Sequence, residues 1–189
     1  DTGFQEPGNS HDVAKTILTF ENASGWQWGS SFFFVDVIRS DEHDNHASEV
    51  YGEWFPSASL SALTGNDLSV GLLRDVSVTM GINAGPKNTG ADPLVYLPGL
   101  TFDLILPGFA FFSIGTYAYI NKGRFAGQDN GCNDTTYQIT PSWSLPFALG
   151  RAKFSFDGFV DFIGDHGQCV SQVLSQSQLK IEVASFGAK

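Results

Sequence analysis

Four short stretches carry the side chains with chemical potential. "FFFVD" sets Phe32, Phe34 and Asp36 at alternate positions, "YGE" does the same with Tyr51 and Glu53, "YAY" with Tyr117 and Tyr119, and "DGFVD" places Asp157 ahead of Asp161. Flat aromatic faces beside carboxylates make a surface on which a ring can stack while hydroxyl groups donate to the acids. Such a set binds rather than reacts. The histidines His11, His43, His46 and His166 all fall in loop-like sequence, and no G-x-S-x-G or comparable motif accompanies the serines, so no enzyme is expected.

The loop "SDEHDNH" gathers Asp41, Glu42, His43, Asp44 and His46, donors that suit a divalent cation. It lacks the glycine-punctuated spacing of a calcium loop and reads as a solvated acidic loop, so neither metal nor cofactor is expected. Cys132 and Cys169 both lie in Gly/Asn/Asp/His-rich loop sequence. In an oxidising compartment they can pair as a disulfide; two unpaired loop thiols are the alternative.

Beneath these residues runs a repeated period of two, in segments of about ten to thirteen residues, with almost no helical periodicity. The segments are Ala14–Ser24, Ser31–Arg39, Glu49–Phe55, Asp75–Asn83, Leu94–Leu106, Phe109–Asn121, Thr136–Leu145, Ala152–Ile163 and Val173–Val183, with a helical turn expected around Leu60–Leu63. Nine strands follow. In the second half, long and short connections alternate, as in outer-membrane barrels; the long stretch Pro56–Asp75 breaks that rule.

Each strand has an apolar face, such as Phe33, Val35 and Val37, and a polar one that holds all nine residues named above. A soluble sandwich alternates in the same way, but its strands average about five or six residues. The Leu94–Asn121 hairpin has arms long enough to cross a bilayer when tilted. Trp26, Trp28, Trp54, Tyr96 and Trp143 gather near expected strand ends, where a membrane barrel sets its aromatic girdles. Composition agrees. Among 189 residues 16 % are charged while Phe occurs 17 times, a poor surface for water, and no apolar run reaches the length of a transmembrane helix. A net charge of −10 with scattered Lys and Arg excludes nucleic acid as a partner.

The fold expected is therefore all-β, an antiparallel transmembrane barrel integral to the bacterial outer membrane, in contact with lipid and lipopolysaccharide. Nine is an odd count, and an open edge in lipid leaves backbone groups unsatisfied. A single domain over 1–189, lacking a first strand and two closing strands, is the expectation.

The blocks "FQEPGN", "LTFENASGWQWGSSFFFVDV", "YGEWFPSASLSALTGNDLSVGLLRDV", "PLVYLPGLTFDLILPGFAFF", "QITPSWSLPFALGRAKFSFDGFVDF" and "LSQSQLKIEV" resemble the nucleoside-specific channel-forming (Tsx-type) outer-membrane proteins and their outer-membrane-protein-K-like relatives. The resemblance implies a twelve-stranded barrel through which nucleosides or similar small polar solutes diffuse passively, with no cofactor. In that setting Phe32, Phe34, Tyr51, Tyr117 and Tyr119 would stack bases, and Asp36, Glu53, Asp157 and Asp161 would accept from ribose hydroxyls. Alternatively these residues hydrate a lumen and pair with Arg39, Arg74, Lys153 and Lys180. A rival function is that of a surface receptor whose external loops bind a phage or a protein.

Overall fold

The computed structural model describes residues 11–88, 90–125 and 127–183. Nine long strands form one antiparallel sheet, each hydrogen-bonded to the next along the chain. They are β1 (Lys15–Trp26), β2 (Gly29–Ser40), β3 (Ser48–Ser59), β4 (Leu73–Ala84), β6 (Leu94–Leu104), β7 (Phe111–Asn121), β10 (Thr135–Leu149), β11 (Ala152–Ile163) and β12 (Gln172–Ile181). Two loops expected to be irregular contribute β5 (Ala91–Asp92), β8 (Arg124–Phe125) and β9 (Gln128–Asp129), which pair into a small separate sheet. The single α-helix among the described residues, α1 (Leu60–Thr64), is capped by the Ser59 hydroxyl. No helix of the described residues is long and apolar enough to cross a membrane. The stretches "FQEPGN" and "FGAK" lie outside the described residues.

The arms of the β6–β7 hairpin have 11 residues each, shorter than expected from sequence. Beyond Leu104 the backbone turns to other neighbours: the N–H of Ile105 donates to the Leu72 carbonyl at 2.8 Å and that of Ala110 to the Ser144 carbonyl at 2.8 Å. Eleven residues are still enough for a tilted strand to cross a hydrocarbon core of about 30 Å.

Strands of this sheet pass straight through proline, and two of them run longer than expected for that reason, β3 to Ser59 past Pro56 and β10 to Leu149 past Pro146. Pro56 lies inside β3, Pro98 inside β6 and Pro141 inside β10. Each leaves one flanking ladder continuous, since Ser31, Met80 and Ile114 pair with them in register. Each also interrupts the other ladder for two residues, between Trp54 and Ser57, between Tyr96 and Gly99, and between Ile139 and Ser142, and the pairing then resumes in the same register. A residue without an N–H opens a gap of this kind without shifting the strand. One consequence corrects the girdle reading. Trp54 and Trp143 sit in mid-strand rather than near a strand end, because β3 extends beyond Pro56 to Ser59 and β10 beyond Pro146 to Leu149.

Pairing in register preserves the two faces across the whole sheet. Leu18, Phe20, Phe33, Val37, Val50, Val78, Met80, Phe156 and Leu179 stay exposed on one side. The other side is concave: Phe55 on β3 and Tyr117 on β7 have two strands between them, yet their ring centroids lie 5.9 Å apart. The sheet curls so far that Lys180 on the edge strand β12 reaches within 4.0 Å of Glu21 on the opposite edge strand, β1. The up-and-down order places the connections 41–47, 85–93, 122–134 and 164–171 at one end, called here the loop end. The turns 27–28 and 150–151 and the connections 60–72 and 105–110 lie at the other, the turn end.

Candidate lumen site

At the loop end of the concave face, strands far apart in the sheet bring their side chains together. From β2, Phe34 sets its ring 6.0 Å from Tyr51 and 6.3 Å from Phe32. On β3 the Tyr51 hydroxyl donates to Glu53 at 2.6 Å. From β7, Tyr117 and Tyr119 are both buried, and they pack with Val95, Leu97, Ile163 and Phe55 into the main apolar cluster of the described residues. Asp161, on β11, accepts from the Thr140 hydroxyl at 2.6 Å and from Gln138 Nε2 at 3.0 Å. Glu53, Asp161 and Tyr119 all stand on this concave face, on β3, β11 and β7.

Two glycines on this face make room for the rings. A Cβ on Gly81 would stand 2.5 Å from the Phe55 ring and 2.9 Å from Leu97 Cβ, and one on Gly115 would collide with the Tyr117 phenol. A run of hydroxyls then ties the floor of the cluster together. Ser57 bonds Thr79 at 2.8 Å, Thr79 bonds Thr101 at 2.7 Å, and Thr101 bonds the Tyr117 hydroxyl at 3.1 Å.

The remaining sequence-derived candidates stand apart. Asp36 accepts from Thr19 at 2.6 Å, near the edge of the sheet. Asp157, toward the turn end, is engaged by Ser144 at 2.7 Å, Ser155 at 3.0 Å and Lys180 at 3.2 Å. Of the four cations offered as partners for the acids, Lys180 alone meets a candidate residue among the described contacts; Arg39 donates to Ser48 and Lys153 pairs with Glu182.

The loops close over this end. Cys132 and Cys169 form a disulfide with Cα atoms 5.4 Å apart, joining the connection after β7 to the one after β11. Beside it the Gln168 N–H donates to the Gly131 carbonyl at 2.8 Å, and His166 and Cys169 exchange backbone bonds of 2.9 Å each. His166, taken from sequence as a loop residue without a role, is buried, with its ring 5.1 Å from Tyr119. In "SDEHDNH", Asp41 caps the short 3₁₀ turn Glu42–Asp44 and accepts from the Ala14 N–H, which holds its carboxyl below the usual range. Asp44 pairs with Lys87 at 2.9 Å.

Phe55, Gln138 and His166 are the members of this cluster that the sequence reading left out. Phe55 shares the parity of Tyr51 and Glu53, a signal obscured by the proline that follows it. His166 has no such signal, because its position depends on how two loops fold.

Aromatic rings, carboxylates and hydroxyls that converge inside a curled all-β sheet make a binding surface. A family profile described as nucleoside-specific channel-forming protein, Tsx, matches residues 2–170. No curated protein matches the chain. The chain belongs to the Tsx family of nucleoside-specific channels.

Proposed function

We propose that this member of the nucleoside channel family lies in the outer membrane with its apolar face against lipid and lipopolysaccharide acyl chains, and that solutes pass along the concave face. The loop-end cluster is then the resting place of the nucleoside. A base lies against Phe34, Phe55, Tyr117 and Tyr119, and ribose hydroxyls donate to Glu53 and Asp161. Stacking contributes about 1–3 kcal/mol per base where aromatic platforms hold single strands, enough for selection yet weak enough for release.

The observation that carries this reading is the meeting of β3, β7 and β11, where the Phe55 and Tyr117 rings lie 5.9 Å apart and Asp161 is held on the same face by Thr140 and Gln138. Asp36, Phe32 and Asp157 flank the path as secondary contacts. The test is ion conductance across planar bilayers. Adenosine should reduce it saturably while a sugar of similar size does not, and equal effects of the two would remove the selectivity.

A further inference from the structure

Gln138 is 2 % exposed and stands on the concave face of β10, paired with Tyr117 on one side and Ile163 on the other. Its amide orientation is set by Asp161. A carboxylate accepts, so the group 3.0 Å from Asp161 Oδ1 is the amide N–H₂, which also donates to Thr140. Oε1 is thereby left buried, with no donor among the described residues.

His166 offers a second acceptor. It is 4 % exposed, and its Nδ1 lies 2.9 Å from the Gly164 carbonyl, which also only accepts. Nδ1 therefore carries a proton, and in the Nδ1–H tautomer Nε2 is an acceptor, for which no donor appears among the described residues. The ring lies against Tyr119, which packs with Tyr117 and Ile163 beside Gln138. A buried acceptor left without a donor is costly, so a donor from outside the chain suits Gln138 Oε1.

We propose that Gln138 Oε1 and His166 Nε2 form a donor-seeking subsite that takes N–H or O–H groups of a nucleoside and sets which nucleosides pause longest. This rests on the reading that nucleosides rest in the loop-end cluster. The exocyclic amine of an aminated base fits best, because the rings of Tyr117 and Tyr119 flank the acceptors and give the base plane a surface to lie on. The Cys132–Cys169 disulfide and the Gln168-to-Gly131 bond hold the loop that carries His166.

Half-blocking concentrations in planar bilayers test it, with adenosine, purine riboside, which lacks the amine, and 2′,3′-dideoxyadenosine, which lacks the hydroxyls. Adenosine should block at about tenfold lower concentration than purine riboside, the loss of one well-placed hydrogen bond. Gln138→Met and His166→Phe should each raise the adenosine value toward that of purine riboside and leave the latter unchanged. If instead the two variants weaken block by adenosine and purine riboside alike and leave that by dideoxyadenosine unchanged, the donors are ribose hydroxyls and the subsite stands with that source. Equal values for all three compounds in the unaltered channel would overturn the subsite while leaving the nucleoside channel intact. Absence of block by any nucleoside would instead remove the reading beneath it. The comparison of compounds on the unaltered protein keeps the test decisive even where a variant fails to insert.

Discussion

The two ends of the concave face have the same strand parity but hold their side chains differently. At the loop end Tyr117, Tyr119, Gln138 and Asp161 are buried by one another and by loops that fold inward. At the turn end Asp157 sits among Ser144, Ser155 and Lys180, and Lys180 is half exposed. Alternation supplied polar and aromatic groups to both. What differs is the covering: a disulfide-joined pair of loops lies over one end, and a two-residue turn, Gly150–Arg151, closes β10 to β11 at the other. Selectivity is therefore expected where loops add a second wall, and simple hydration where they do not.

The largest effect should come from breaking the premise that both ends lie inside. Val78→Arg puts a cation on the apolar face and should cost about 2–4 kcal/mol of folding stability at mid-membrane depth, read by urea titration in lipid vesicles. A wild-type stability would invert the faces. Next, Gly81→Val should drive Phe55 and Leu97 apart, cost about 1–3 kcal/mol and lower single-channel conductance, since overpacking is felt at once in a closely filled site.

A direct contrast between the ends follows. Tyr119→Ala should raise the half-blocking concentration of adenosine about tenfold, as the loss of one stacking surface would. Phe32→Ala, nearer the turn end, should change it much less, and equal losses would erase the distinction. Reduction of the Cys132–Cys169 disulfide should weaken adenosine block a few-fold while leaving heat-resistant mobility on a gel unchanged, because the strands do not depend on the loops. The smallest effect is expected at Lys180→Met. That side chain is half exposed, exposed ion pairs contribute about 0–1 kcal/mol, and nucleoside block should not move.

The faces were legible from alternation because a strand's period of two survives any degree of curl, and β11 was read with the bounds it has, Ala152–Ile163. Strand ends were less legible where proline intervened: the sequence reading stops β3 at Phe55, whereas the pairing runs to Ser59. Which members of the polar face meet depends on curvature, a property of the whole sheet that no single strand encodes. Phe34, Glu53 and Tyr119 could be chosen by type, but their convergence with Phe55, Gln138 and His166 could not. The small sheet of β5, β8 and β9 joins residues more than thirty positions apart through two-residue strands too short to show a period.

The three mid-strand prolines bear also on the chain before it folds. Segments such as those around Trp54 and Ile139 are apolar on alternate positions and poor in charge, the composition from which stacked intermolecular sheets grow. A strand that cannot donate at its centre is a weak template for a copy of itself, whereas in the native sheet the same gap is bridged by register on either side. Pro56, Pro98 and Pro141 are thus placed where gatekeepers against aggregation would be expected, each with a two-residue interruption in one of its two ladders.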